Sequence, residues 1–227
     1  DATAEGDSDF VSTAETVAAD RDAPALGSVQ MTLVKYTKKI ELSYELLNDE
    51  DSNLMAFLNR WVGNKAGNTH NNLLVTEILA NGTNLGAFTA GGIAAGELEP
   101  IVGNDILDRY VSDGGSVGWA MRNSTLWAIR ALTGNDRQYA EQTLESGMSQ
   151  LLGYPVGKTS KVPVMGTGNK SAIFGNFNFV GYREAPGMTF LRDPYSMADT
   201  GQIVLRYYFR CVYKVLLAEA IGYGQHA

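Results

Sequence analysis

The chain has 227 residues, of which 44% are hydrophobic and 19% charged, which is enough apolar material for one or two packed domains. No run of about eighteen apolar residues is present, and the acidic start lacks a basic stretch followed by an apolar one, so neither a transmembrane helix nor a secretory signal is predicted. The single cysteine, Cys211, excludes an internal disulfide, and a lone thiol in an apolar run is typical of a core residue in a protein made in a reducing compartment.

The net charge of −7 is distributed unevenly. The first 22 residues hold one base, Arg21, and seven acids: Asp1, Glu5, Asp7, Asp9, Glu15, Asp20 and Asp22. That segment carries −6, whereas the rest of the chain holds 18 acids and 17 bases. No basic patch stands out along the sequence, so tight binding to a phosphate backbone is not predicted. Because the sequence starts at Asp1, it leaves open whether an upstream segment is cleaved.

The N-terminal residues to about Leu26 contain too few large apolar side chains to fold alone, a composition typical of a disordered tail. Ser28 to Leu42 alternates imperfectly between apolar and polar residues and predicts an extended strand. Its predicted partner is the segment from Phe10 to Ala18, with turn residues from Asp20 to Pro24 between them. A two-stranded ribbon with so little core is marginal alone in water, so we expect it to lie on a neighbouring subunit.

A long helix is predicted next, capped by Asp51 or Ser52. Its apolar residues have the spacing of one helix face, which we expect to pack on a sheet. They are Leu54, Phe57, Leu58, Trp61 and Val62. Gly63 and Gly67 weaken the prediction that this helix is unbroken. The stretch from Asn81 to Gly96 is rich in Gly, Asn, Ala and Thr and predicts a loop.

The remaining pattern alternates between helices and strands. Helices are predicted from Asn104 to Val111 and, capped by Asn123 or Ser124, through Leu132. Glu141 to Leu152 gives no clear pattern. Strands are predicted at Val117–Met121, at 172–174, 177–182 and 188–191, and over the long run Ile203–Leu217, with turns at Gly175–Asn176 and Ala185–Gly187.

Patterns typical of catalysis or metal binding are weak in this sequence. Gly153-Tyr-Pro-Val-Gly-Lys-Thr159 places three residues, not four, between its first glycine and the Gly-Lys-Thr unit of a phosphate-binding loop. The two histidines, His70 and His226, are predicted to be solvent-exposed, the second at a frayed C-terminus, and no G-x-S-x-G motif accompanies them. One cysteine and two distant histidines do not predict a zinc site, and Glu97 and Glu99 lie in a loop of no defined geometry.

Six segments in one order resemble a known family. They are K-I-x-L-S-x-E-L-L-x-D (Lys39 to Asp49) before the long helix, W-A-M-R-N-S-T-L-W-A-I-R-A-L (Trp119 to Leu132), L-L-G-Y-P-V (Leu151 to Val156), I-F-G-N-F (Ile173 to Phe177), G-Q-I-V-L-R (Gly201 to Arg206), and the extended segment that precedes them all. Together they resemble the major capsid proteins of tailed bacteriophages with the Hong Kong 97 fold, from about Glu15 onwards.

The resemblance implies an α+β capsid fold with four parts. These are an N-terminal arm and extended β-hairpin loop (1–37), a peripheral domain with a long spine helix and sheet (38–95 and 169–212), and an axial α/β domain (96–168 and 213–227). In that family the extended loop lies over the adjacent subunit. This agrees with the expectation that the ribbon from Phe10 to Tyr36, which has too few apolar residues to fold alone, packs on a neighbouring subunit.

The resemblance also implies a structural head protein rather than an enzyme, without cofactor or metal. Its copies would form the hexamers and pentamers of an icosahedral shell around double-stranded DNA bound without sequence specificity, in a virion assembled in the host bacterial cytoplasm. Scaffold, portal and decoration proteins are expected partners, and no membrane is. Candidate inter-subunit residues are Glu15, Arg21, Lys38, Lys39, Glu41, Arg183, Glu184, Arg192 and Asp193.

Some family members join their subunits by an isopeptide bond between a loop lysine and an asparagine of the peripheral domain, promoted by a glutamate. Here Glu15 to Val34 contains no lysine, and Ile203 to Tyr213 contains neither Asn nor Glu. The sequence therefore predicts no such cross-link. Two alternatives stay open: an encapsulin-type shell that encloses proteins, and an α/β enzyme whose site carries no known motif.

Overall fold

The computed structural model describes residues 2–4, 25–26, 28–48, 53–94, 96–112, 115–132, 142–143, 149–185 and 187–227. The helices within these ranges are α1 (Tyr44–Asn48), α2 (Leu54–Asn81), α3 (Glu99–Val102), α4 (Asp105–Ser112) and α5 (Asn123–Arg130). The first strands are β1 (Ala2–Ala4), β2 (Ala25–Leu26), β3 (Val34–Ser43), β4 (Thr83–Phe88), β5 (Val117–Met121), β6 (Gln142–Thr143) and β7 (Ser149–Leu151). They are followed by β8 (Tyr154–Lys158), β9 (Lys170–Asn176), β10 (Val180–Glu184), β11 (Thr189–Asp193), β12 (Gln202–Val215) and β13 (Ile221–His226). The α+β class predicted from the sequence is confirmed.

The long helix α2 is continuous over 28 residues, so Gly63 and Gly67 do not interrupt it. Both glycines face open space, with nothing within 4 Å of the position that a Cβ would occupy. Leu58 and Val62 are buried against β12, as the apolar stripe predicts, and Val75 and Ile78 continue the buried face towards the second sheet. The predicted caps Asp51 and Ser52 lie outside the described residues.

The smaller sheet has four strands around β12. Strand β3 pairs antiparallel with one edge of β12, from Gln202↔Ser43 to Cys211↔Val34, and β10 and β11 share the other edge. The strand predicted from Ser28 begins only at Val34, and its residues up to 37, assigned to the extended loop, are part of this sheet. Its observed partner is β12, whereas the predicted partner, Phe10 to Ala18, lies outside the described residues. Separately, β1 pairs antiparallel with β2.

The larger sheet has seven strands in the order β4-β13-β9-β5-β8-β7-β6. The prediction of a loop over Asn81 to Gly96 is wrong for Thr83–Phe88, which forms β4 because it pairs in parallel with β13. Strands β4 and β9 fall within the ranges assigned to the peripheral domain, yet both hydrogen-bond to β13 in this second sheet. The main apolar core lies between this sheet and α3 to α5.

Two local predictions are corrected. Gly175–Asn176 is not a turn, because both residues continue β9; Gly175 has φ of +145°, and a Cβ there would approach the backbone of Ile221 at 2.6 Å. Helix α5 begins at Asn123 with Arg122 in the capping position, and neither Asn123 nor Ser124 caps it. The predicted helix 104–111 and strand 117–121 are observed as α4 and β5.

Candidate assembly surface

The four-stranded sheet has two chemically different faces, because successive side chains of a strand point to opposite sides. The odd-numbered residues of β12 face α2, where Ile203, Leu205 and Tyr207 are buried. The hydroxyl of Tyr207 donates a hydrogen bond to Asn59 on the helix (2.9 Å). This face therefore joins the helix and the sheet into one layered unit.

Apart from Lys214, whose Nζ forms an ion pair with Glu77 of α2 at 3.2 Å, the opposite face carries five basic side chains from three strands. Residues paired across β3, β12 and β10 lie side by side on the same face, which brings together Lys35, Lys39, Arg183, Arg206 and Arg210. We call these five residues the basic face. No basic patch was predicted from the sequence, and the structure corrects that expectation, because the two lysines of β3 and the three arginines of β10 and β12 are more than a hundred positions apart and meet only when the strands pair.

The three candidate residues of β3 divide between the two faces. Lys38 faces the helix, with its Nζ 5.1 Å from the centre of the Trp61 ring. Lys39 and Glu41 lie on the other face and form an ion pair with each other at 2.5 Å. Their side chains are 49% and 42% exposed, so water screens the pair and its contribution to stability is small.

The candidates of β10 and β11 are also separated. Arg183 belongs to the basic face, whereas Glu184 faces the helix side and accepts a hydrogen bond from the Tyr182 hydroxyl. Arg192 pairs with Leu205 and lies on the helix side. Asp193 lies on the basic side and forms an ion pair with Arg206 at 3.4 Å. Glu15 and Arg21 lie outside the described residues. The nine candidates therefore do not form one site.

Hydrogen bonding fixes the charge of Asp193. The hydroxyl of Ser196 and the backbone N–H groups of Tyr195 and Ser196 donate to its carboxylate and lower the pKa of Asp193. On the helix side, burial and the hydrogen bond to Glu184 raise the pKa of Tyr182, which keeps that phenol neutral. Asp193 and Glu184 therefore each form hydrogen bonds with residues of their own chain.

Sequence reasoning missed an exposed apolar strand. Every residue of β11 except Asp193 is exposed, including Phe190 (45%) and Leu191 (48%), which lie on opposite faces. The neighbouring Met188 and Tyr195 are also exposed. β11 lies at one edge of its sheet, and such an edge is a template for pairing with another chain. The alternation of the segment predicted a strand, but exposure on both faces depends on what packs against it.

A groove opens on the basic side where β12 passes from β11 to β10. It has a volume of about 280 Å³ and is lined by Lys35, Ala185, Gly187, Thr189, Tyr208, Phe209 and Arg210. The ammonium group of Lys35 lies 4.5 Å from the centre of the Tyr208 ring. The Tyr208 ring and the cationic side chains of Lys35 and Arg210 could together bind an anionic group on an aliphatic side chain, such as a carboxylate.

Both histidines are less exposed than predicted. His70 is half-buried, stacks on Phe209 with ring centres 4.9 Å apart, and its Nδ1 lies 3.2 Å from the Tyr213 hydroxyl. His226 is 2% exposed because β13 is enclosed between β4 and β9. Its Nε2 lies 2.7 Å from the hydroxyl of Ser171 and its Nδ1 lies 2.8 Å from the carbonyl oxygen of Thr89.

The Ser171–His226 pair differs from a hydrolytic triad in two respects. The serine has no exposed surface, so a substrate cannot reach its hydroxyl without opening the sheet. The histidine Nδ1 contacts a backbone carbonyl, and no carboxylate takes that position. The nearby Glu97 accepts hydrogen bonds from the Thr89 hydroxyl and from the backbone N–H groups of Ala94 and Thr89. Burial acts to raise the pKa of Glu97, but these hydrogen bonds outweigh it and the pKa is lowered. The arrangement fastens the 89–97 loop to β13.

Other sequence motifs have structural roles. The segment from Tyr154 to Lys158 is strand β8, so Gly157-Lys158-Thr159 is not a phosphate cradle in front of a helix. Cys211 is fully buried, as predicted, and burial raises the pKa of its thiol. Among the described residues, no group of three or more His, Cys, Asp or Glu side chains could hold a metal ion. In the same part of the chain, no helix is long and apolar enough to cross a membrane.

Comparison with known proteins gives a match over nearly the whole chain. The model of the phage capsid family matches residues 1–226. No curated protein sequence is significantly similar to the chain.

Similar solved structures include a capsid, a phage structure and an encapsulin complex. The capsid of an empty GTA particle computed with C5 symmetry is 21% identical, with a TM-score of 0.76 over 95% of this chain and 80% of that one. A structure of Microbacterium phage Oxtober96 is 12% identical, with a TM-score of 0.70 over 97% of this chain and 81% of that one. The holo-SrpI encapsulin complex from Synechococcus elongatus PCC 7942 is 14% identical, with a TM-score of 0.62 over 85% and 73%. These likenesses identify the Hong Kong 97-type fold.

Proposed function

The chain belongs to the phage capsid family and is a capsid protein, and from this premise we propose that it is the major head protein of a tailed bacteriophage. Its copies assemble into the hexamers and pentamers of an icosahedral shell that encloses double-stranded DNA. The observation that carries this proposal is the family match over residues 1–226, together with the fold shared with assembled capsids.

The surface of the chain supports assembly as its activity. Among the described residues no strand pairs with the outer edges of β3 and β11, and Phe190, Leu191 and Tyr195 expose apolar surface that a solitary subunit would leave in water. Contacts of this kind are individually modest, but each copy in a closed shell makes them with several neighbours. Many weak contacts then give a stable particle without catalysis, which agrees with a structural protein rather than an enzyme.

The two sheets define the units of this shell protein. The peripheral unit comprises α2 and the four-stranded sheet of β3, β10, β11 and β12, and the axial unit comprises the seven-stranded sheet with α3 to α5. The residues before Val34 form the arm and extended loop, which lies on an adjacent copy. Scaffold, portal and decoration proteins are its partners during assembly in the host bacterial cytoplasm.

An encapsulin-type compartment is the second candidate, because the SrpI encapsulin shares the fold. The contents of the particle separate the two functions. Particles purified from the native source and treated with nuclease are expected to release protected double-stranded DNA of uniform length. Particles that contain a single enzyme and no protected DNA would establish the encapsulin-type function instead.

Mature shells are expected to lack covalent cross-links between subunits. The lysine nearest the extended loop, Lys35, is in β3, where it pairs with Arg210 of its own chain and its ammonium group contacts Tyr208. Denaturing gel electrophoresis of purified shells should therefore give a single band of the size of one subunit. A ladder of covalent multimers that persists under reducing conditions would contradict this prediction.

A further inference from the structure

Helix α2 packs on both sheets and joins them. Its first half, with Leu58 and Val62, packs on the four-stranded sheet, whereas Val75 and Ile78 in its second half pack against Ile221 of the seven-stranded sheet. Apolar contacts have little directionality, so they tolerate small rotations and shifts of a helix. The exact position of α2 on each sheet therefore depends on its hydrogen bonds, which are directional.

Glu77 fixes the end of α2 to the smaller sheet. Its Oε1 lies 3.2 Å from Nζ of Lys214 and accepts a hydrogen bond from the backbone N–H of Val215 at 3.4 Å. Both partners belong to the last residues of β12. The same oxygen accepts a hydrogen bond from the side-chain amide of Asn81 at 2.9 Å, within the last turn of the helix.

Lys170 makes the corresponding contact with the larger sheet. It is the first residue of β9, and its Nζ donates a hydrogen bond to the carbonyl oxygen of Leu79 at 2.5 Å. The same Nζ lies 3.7 Å from the centre of the Tyr223 ring on β13. The last carbonyl groups of a helix have no partner within the helix and carry a partial negative charge. Since α2 has no basic residue in its own last turn, the sheet supplies the cation.

The ammonium group of Lys170 has no acidic partner in the described part of the chain. Its charge is stabilised instead by the Leu79 carbonyl group and by the face of the Tyr223 ring. A hydrogen bond from a charged donor is about twice as strong as a neutral one, and this donor is partly buried. The contact therefore holds the end of α2 at one place on the larger sheet.

The position of α2 on the larger sheet sets the angle between the peripheral and axial units. The chain links between the units are short; they are Gly82 between α2 and β4, residues 177–179 between β9 and β10, and residues 216–220 between β12 and β13. Such links fix where the units meet but leave their angle to the contacts of α2. In a closed shell of identical copies, a small change of this angle in every copy alters the curvature and so the number of copies that closes the particle.

We propose that Lys170 fixes the angle between the two units and thereby determines the size of the particle. The inference rests on the proposed shell function and assigns the choice of particle size to a named contact within the subunit. Lys170 is a positioning residue, because it acts through α2 and the larger sheet.

The substitution Lys170→Met tests this role, since it keeps the aliphatic chain and removes the charge and the hydrogen-bond donor. Particles of the full-length variant and of the wild-type chain, assembled under the same conditions, are measured by cryo-electron microscopy. We expect the fraction of particles with the wild-type diameter to fall by about tenfold, the ratio that corresponds to the loss of one charge-assisted hydrogen bond. Lys170→Arg, which keeps a charged donor, should restore most of that fraction.

A lower yield of particles with an unchanged diameter would overturn the proposal, because that is the result of a merely destabilising substitution. Circular dichroism of the unassembled variants establishes that they fold. Tyr223→Leu provides a second variant, since it keeps an apolar side chain and removes the ring beside the ammonium group. It should change the diameter in the same direction as Lys170→Met. If Lys170→Met does not fold, wild-type diameters from folded Tyr223→Leu would overturn the proposal.

Lys65→Met is the matched control. Lys65 is exposed on α2, and its Nζ lies 5.6 Å from the centre of the Trp61 ring, so the same replacement removes a similar cation–π contact away from the larger sheet. Its particles should keep the wild-type diameter. An equal change of diameter in this variant would contradict the proposal, because the size would then depend on the charge of the subunit and not on the contact with Leu79.

The wild-type chain separates this inference from the shell function. Wild-type particles of one diameter, together with Lys170→Met particles of the same diameter, would reject the role of Lys170 and leave the shell function intact. A wild-type chain that forms no particles would reject the shell function itself.

Discussion

Trp119→Ala is expected to lower the free energy of unfolding of the unassembled subunit by about 3–5 kcal/mol. The Trp119 side chain is 1% exposed in the centre of the larger sheet, and its ring centre lies 4.6 Å from that of Phe174. Its indole N–H donates a hydrogen bond to the carbonyl oxygen of Leu151 at 3.2 Å. The substitution removes this packing and this hydrogen bond and leaves a cavity.

Trp127→Ala is the matched control. Trp127 has the same chemistry but is 57% exposed, and its ring centre lies 4.9 Å from the guanidinium carbon of Arg130. An exposed cation–π contact contributes about 0.5–1 kcal/mol, so the loss should not exceed about 1 kcal/mol. Urea denaturation followed by circular dichroism measures both variants. Equal losses at the two positions would show that the larger sheet does not contain the main core.

Gly222→Ala is expected to have the second-largest effect, a loss of about 3 kcal/mol in the free energy of unfolding, at the upper end of the range for overpacking. A Cβ on Gly222 would overlap with the carbonyl oxygen of Thr83 and would lie 2.6 Å from Cγ of Leu85. Gly222 is paired with Thr83 in the parallel ladder between β13 and β4. Since one of the clashing atoms belongs to the backbone, the two strands must separate to accept the methyl group.

The control for this substitution is Gly63→Ala. Gly63 lies inside α2 with nothing near its Cβ position, so alanine should raise the free energy of unfolding by about 0.5–1 kcal/mol through its higher helix propensity. Thermal unfolding of the two variants should therefore shift in opposite directions. A Gly222→Ala variant as stable as the wild-type chain would contradict the pairing of β4 with β13.

Elements with a strong local pattern could be predicted from the sequence. The stripe of Leu58 and Val62 predicts α2 because it reflects one buried helix face, and the continuous apolar run after Gln202 predicts β12, whose first residues are buried on both faces. Strand β4 could not be predicted in this way, since Thr83–Phe88 is rich in residues common in loops and becomes a strand only through pairing with β13. His226 was predicted to be exposed because the sequence does not show that β13 lies between β4 and β9, where its side chain is buried. These errors concern contacts between distant segments.

The basic face, too, could be predicted from the sequence only where it depends on a local pattern. Alternation along β3 places Lys35 and Lys39 on one face, which the sequence alone indicates once the strand is known. Their neighbours Arg206 and Arg210 could be identified only from the register of β3 against β12, since a shift by one residue would move them to the helix side. Exposure of Phe190 and Leu191 likewise depends on the absence of a packed layer above β11 among the described residues.

The particle formed by the full-length chain tests the central claim most directly. Negative-stain electron microscopy and sedimentation velocity of the expressed protein, together with any upstream segment and scaffold, measure its size and symmetry. We expect closed icosahedral shells of megadalton mass built from hexamers and pentamers. A folded protein that sediments only as a monomer or small oligomer under those conditions would contradict the assignment as a shell subunit.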